Sequence, residues 1–179
     1  MTMMMMPMRG AQWTWRRMIP MLIAVLVVTL GTARSVSAQE SGIAIGTKAP
    51  GGPLETLDGK PVDLASYLGK GPVVLEFWAT WCGNCKQLEP AMRAAMKQYG
   101  AQVQFITVAV SVNQSLARVQ AWQKANALPG LMLYDRKGIV SGTYDVPATS
   151  YVVVLNKAGT VVYTGVGGTQ NLTEALKKQ

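Results

Sequence analysis

The sequence predicts an α/β protein: a mixed central sheet flanked by helices and preceded by a small β-hairpin. Three observations lead there. Val73–Trp78 is an apolar run with one acid inside it, and Val103–Val110 reads as a second buried strand, as suits strands covered on both faces. Each run is followed by a segment of helical character, which implies crossover connections between parallel strands. Near the end, Tyr151–Leu155 and Thr160–Thr164 flank the turn Lys157-Ala158-Gly159, an antiparallel pair that makes the sheet mixed.

The elements follow in order. Residues 39–52 are rich in Gly and Pro and read as a loose lead-in. Leu54–Leu57, Asp58-Gly59 and Pro61–Leu64 read as a hairpin, because Asp-Gly favours a two-residue turn. Asp63 can cap a short helix through Leu68, which Gly69 and Gly71-Pro72 end. After Val73–Trp78 comes a helix on which Leu88, Met92, Ala95, Met96 and Tyr99 recur at spacings of three and four, with Cys85 and Ala91 on the same stripe. Lys86, Gln87, Arg93, Lys97 and Gln98 take the other side. Pro90 lies inside this helix and should kink it, and Gly100 should end it. Ser115–Ala127 reads as the next helix, Leu131–Tyr134 as a short strand, and Asn171–Lys178 as a terminal helix capped by Asn171.

Composition divides the chain. The first 38 residues hold eight of the eleven Met, four Arg and no acid. Arg9, Arg16 and Arg17 precede an apolar run from Met18 to Leu30, and Val36-Ser37-Ala38 supplies a small-residue site. That is the layout of a secretory signal peptide cleaved near Ala38; a retained membrane anchor is the alternative. The run is shorter than the ~20 residues a span needs, and Pro20 interrupts it. The expected organisation is 1–38 signal peptide, 39–52 lead-in and 53–179 folded domain. The mature part keeps 13 of the 17 basic residues and all 9 acidic ones, well dispersed, which argues against nucleic-acid binding.

The chain has two Cys and no His. Without His there is no Ser or Cys hydrolase triad built on it, and the commonest metal ligand is missing. Two thiols alone fall short of a zinc site, and Lys86 stands where haem attachment needs His. A disulfide across three residues closes almost no loop, so it stabilises the fold little. Redox exchange remains. Cys82-Gly83-Asn84-Cys85 sits where a buried strand turns into a helix, and free N–H groups at a helix start favour thiolate over thiol. Cys82 is expected to be the exposed attacking thiol. Cys85, on the apolar stripe, is expected to be shielded and to resolve the mixed disulfide. Glu76, inside the buried strand six residues before Cys82, should have a raised pKa and carry the proton of Cys85. A partly solvated or Lys-paired acid is the alternative.

These residues resemble the thioredoxin superfamily, and more narrowly the exported TlpA-like and ResA-like thiol–disulfide oxidoreductases, over about residues 46–176. Ile45-Gly46-Thr47-Lys48-Ala49-Pro50, with Leu57-Asp58-Gly59-Lys60 and Leu64, resembles the N-terminal extension such proteins share with peroxiredoxins. Glu76-Phe77-Trp78-Ala79-Thr80-Trp81-Cys82-Gly83-Asn84-Cys85-Lys86 and Pro90 match the active-site strand and helix. The resemblance implies a thioredoxin-like fold and a dithiol enzyme without cofactor or metal. It further implies an extracytoplasmic monomer that reduces exported proteins, such as apocytochrome c or another metalloprotein. An upstream membrane thiol reductase would recharge it, and the membrane itself would matter only if the N-terminal segment is retained. Trp81, Gly83, Asn84, Pro147, Thr149 and Ser150 are the expected partner contacts. A disulfide-forming oxidant and a non-catalytic binding module are the alternatives. Two departures stand out. Asn84 replaces the usual Pro before the second Cys. Counting back from Gly159 puts Ser150 in the slot of the cis-proline, so the chain is read as lacking that proline, with Pro147 in a longer loop as the alternative. Ala79 stands where a peroxiredoxin has Thr, three residues before the attacking Cys.

Overall fold

The computed structural model describes residues 41–179; the proposed signal peptide lies outside them. Among the described residues, seven strands and four α-helices follow one another. They are β1 (Pro53–Thr56), β2 (Pro61–Asp63), β3 (Val73–Trp78), α1 (Gly83–Tyr99), β4 (Gln104–Val110), α2 (Leu116–Asn126), β5 (Leu131–Asp135), α3 (Ile139–Thr143), β6 (Tyr151–Leu155), β7 (Val161–Val166) and α4 (Leu172–Leu176). A 3-10 turn, Leu64–Tyr67, follows β2, and Asp63 caps it by accepting the Ala65 N–H. The sheet order is β2-β1-β5-β4-β3-β6-β7. β3 pairs parallel with β4 and antiparallel with β6, and β4 pairs parallel with β5. The sheet is mixed, with the predicted hairpin at one edge, as the pattern of apolar runs and turns requires.

β3 is the central strand, and all six of its residues are buried. Its neighbours in register place Thr107 and Val152 beside Glu76. α1 buries Cys85, Leu88, Met92, Ala95 and Met96, the stripe read from its spacing. Pro90 lies inside it. Gly100 ends α1, though not by left-handed geometry: its φ is −61°, and an added Cβ would lie 2.5 Å from the Met96 carbonyl oxygen. Crowding, rather than backbone freedom, selects glycine there. Ser115 and Asn171 cap α2 and α4 through their side chains.

Two features depart from the sequence reading. α3 was not anticipated, because Ile-Val-Ser-Gly-Thr has poor helix propensity. Tertiary contacts hold it: buried Asp135 accepts both the N–H and the hydroxyl of Ser141 at 2.7 Å, and Val140 is fully buried. The lead-in, expected to be loose, is tied down. The Ile43 N–H donates to the Tyr151 hydroxyl at 3.0 Å. Gly46 N–H donates to Val161 O, and Val161 N–H to Thr47 O, so the lead-in pairs with the start of β7. Composition excluded regular structure in this segment, but its backbone donors still found partners.

Candidate active site

The site forms where β3 gives way to α1. Cys82 is the N-cap of α1, in extended conformation, and its Sγ accepts the Cys85 N–H at 3.0 Å. That N–H is one of the donors a helix start leaves free, and no acid in the first turn competes for them. Cys82 and Cys85 form a disulfide with a Cα–Cα distance of 5.3 Å. The expected contrast in exposure is not present in this oxidised state. Cys82 is 4% exposed and Cys85 7%, so both are buried. Their asymmetry lies in position: Cys82 caps the helix, whereas Cys85 lies within it and faces the core.

Behind Cys85 is a small cavity of about 20 Å³, bounded by Glu76, Trp78, Thr80, Cys85, Glu89 and Trp122 among others. That is room for roughly one water molecule. Glu76 is 5% exposed and, among the described residues, makes no ion pair. Loss of solvation, with a smaller contribution from the negative charge of Glu89, pushes its pKa up to about 8. At neutral pH Glu76 is therefore mainly a neutral acid. The Trp78 indole N–H and the Thr80 hydroxyl, both buried beside it, have no hydrogen-bond partner among the described residues.

The expected partner contacts separate. Trp81 is 42% exposed, and its indole N–H donates to Val112 O at 2.8 Å. Trp81 and Thr149 line one groove of about 240 Å³, together with Val112, Val146 and Ala148. Gly83 and Asn84 are exposed at the start of α1, and Pro147 is exposed on the loop before β6 without lining the groove. Ser150 does not present its side chain outward. It is fully buried, its hydroxyl donates to Gly167 O at 3.0 Å, and its N–H donates to Phe77 O at 2.8 Å. Its hydrogen-bonding groups are spent inside the fold, so a contact from its side chain to a partner is not available. Ser150, not a proline, immediately precedes β6, with φ +66°, and no peptide bond among the described residues is cis. The sequence reading missed Glu89 and Trp122 as cavity residues. Glu89 was detectable in principle, since four residues after Cys85 lies on the same helical face; Trp122 comes from a distant helix and left no local sign.

Residues 45–164 match the AhpC/TSA family. The chain belongs to that family. The thiol–disulfide oxidoreductase ResA of Bacillus subtilis is 32% identical over 157 residues, covering 87% of this chain and 85% of that protein. The thioredoxin-like protein YneN of the same organism is 34% identical over 135 residues, 75% of this chain and 78% of that one. A crystal structure of a secreted Mycobacterium tuberculosis disulfide oxidoreductase, homologous to Escherichia coli DsbE, superposes with a TM-score of 0.62 at 26% identity. It covers 72% of this chain and 96% of that one. Within the AhpC/TSA family, this member is a thioredoxin-like thiol–disulfide oxidoreductase of ResA/DsbE type, with the Cys-x-x-Cys disulfide at the start of α1.

Proposed function

We propose that the protein is an exported reductant of protein disulfides in which Cys82 attacks, Cys85 resolves and Glu76 takes up and returns the proton of Cys85. In the reduced enzyme the Cys82 thiolate attacks a partner disulfide. One partner sulfur leaves as a thiolate, and a mixed disulfide with Cys82 forms. The ionised fraction of Glu76, which grows as pH approaches about 8, then takes the proton of Cys85; Cys85 attacks Cys82 Sγ, and the second partner sulfur leaves as a thiolate. Two electrons pass from the enzyme dithiol to the partner. Recharging by a thiol donor runs the steps backward: as the Cys85 sulfur leaves, neutral Glu76 returns the proton.

The observation that carries this reading is the neutral, buried Glu76 sharing a small cavity with Cys85. A buried carboxyl without a cation is costly to maintain, and leucine would fill the space at less cost. Trp81, Thr149, Gly83 and Asn84 form the surface a partner meets, with Pro147 on its margin. Export rests on the basic, apolar, small-residue order of residues 1–38 and on the secreted relative. An unfolded apocytochrome c or another metalloprotein awaiting its metal is the proposed substrate class. The electron donor is a membrane thiol reductase, and the working unit is a monomer.

Insulin reduction by the dithiol form tests the reading. The wild-type protein turns over and Cys82→Ser does not; no turnover by either would leave only a binding module. Equilibration with glutathione decides direction. A potential well below about −200 mV supports a reductant, and one near about −120 mV would make the protein a disulfide-forming oxidant.

A further inference from the structure

The cavity behind Cys85 holds a second carboxylate that the exchange steps leave without a task. Glu89 lines it from α1, with its side chain 25% exposed. Arg93, one turn further along, binds it: Nε donates to Glu89 Oε1 at 2.8 Å. The same guanidinium reaches across to the end of α2, donating to Asn126 O at 2.8 Å and Ala127 O at 3.3 Å. Those terminal carbonyls are the negative end of the α2 dipole, so Arg93 is fixed there. Besides this pair, one charged side chain, the exposed Lys86, lines the cavity among the described residues. From β4 and β6 Glu76 meets Thr107 and Val152. From α2 and the segment after it come Trp122 and Leu128, and from α1 the disulfide-bonded Cys85 and the exposed Lys86.

We propose that Glu89 is a positioning residue for the exchange reaction: its negative charge at the mouth of the cavity keeps the proton on Glu76 until Cys85 takes it, and Arg93 sets how strongly. The inference rests on the proton-carrier reading of Glu76 and deepens it. Burial alone favours neutral Glu76, and the neighbouring like charge adds to that preference in the direction found for its pKa. Arg93 opposes it by partly neutralising Glu89. The pair therefore acts as an adjustable field at a point where Glu76 has no partner of its own. Glu89 touches neither sulfur in the scheme and acts only through Glu76.

The test is a carbon-13 NMR titration of the glutamate carboxyls in the oxidised full chain. The Glu76 midpoint should fall by about one pH unit in Glu89→Gln, the size of effect expected from a nearby charge. It should rise in Arg93→Met and return toward wild type in Arg93→Lys, which keeps the charge. Thermal unfolding of each variant confirms the fold. Alongside, the pH–rate profile for reduction of the disulfide by a small dithiol should show its alkaline limb moving with the midpoint. An unmoved Glu76 midpoint in Glu89→Gln overturns the inference. A midpoint that moves while the rate profile stays fixed upholds the influence of Glu89 on Glu76 and overturns the proton-carrier reading instead.

Discussion

Replacing Glu76 by Gln keeps the shape of the side chain and removes its titration, and the structure fixes the expected signature in stability. The folded carboxyl titrates at about 8, against an ordinary value of 4.5. Between those values the folded protein keeps a proton that the unfolded chain has lost. Stability therefore falls as pH rises through this window, at up to about 1.4 kcal/mol per pH unit from this group, and the loss levels off above the folded pKa. Below the unfolded value the cost is absent. Glu76→Gln has no such slope. Its stability relative to wild type should rise by roughly 3 kcal/mol between pH 5 and pH 8. Urea unfolding of both oxidised proteins at half-unit intervals measures this directly. Parallel stability curves over that range would refute the reasoning, because they would mean that Glu76 is solvated or charge-paired. Stopped-flow exchange with a small disulfide adds the kinetic half: the first attack by Cys82 should change little, and resolution by Cys85 should slow.

Other perturbations probe separate parts of the site. Cys85→Ser should accumulate a stable mixed disulfide between Cys82 and a partner, visible on a non-reducing gel and absent in Cys82→Ser; trapping through Cys85 instead would reverse the assigned roles. Ser150→Pro, which would install a proline at the residue before β6, should destabilise the fold by about 3 kcal/mol or more, since proline demands φ near −65° and cannot donate to Phe77 O; chemical denaturation would show it, and an unchanged midpoint would contradict the left-handed conformation at Ser150. Asp135→Ala removes both bonds to Ser141 and should cost about 2 kcal/mol, read by the same assay.

Much of this architecture was legible because the sequence states it locally. The β3 run names a doubly buried strand, the spacing from Cys85 to Met96 names the inward face of α1, and Asp58-Gly59 names the hairpin turn, where Gly59 has φ +83°. The placing of Cys82 and Cys85 at a helix start and the burial of Glu76 were readable for the same reason: strand, turn and helix start are contiguous. What escaped depends on contacts between distant segments. Nothing in Ile139–Thr143 announces a helix, because a buried carboxylate from Asp135 holds it. The composition of residues 39–52 suggests looseness, and bonds from its described part to Tyr151, to Asp145 and to the hairpin of β6 and β7 make it otherwise. Ser150 looked available to a partner by its place in the loop, yet its bonds to Phe77 and Gly167 turn inward.

The lead-in also covers part of a sheet edge. A sheet exposes unpaired backbone at its two outermost strands, and such strands recruit others of their kind. At one side β2 is only three residues long and begins with Pro61, which offers no N–H. At the other, residues 46 and 47 occupy the backbone of Val161, and an isolated bridge joins Lys48 to Thr160. A chain trimmed to begin at Pro50 would keep every core residue of the sheet and helices but bare the start of β7. Such a protein should remain folded in dilute solution and assemble into higher-order species as its concentration rises, a behaviour that light scattering would register while the intact domain stays dispersed.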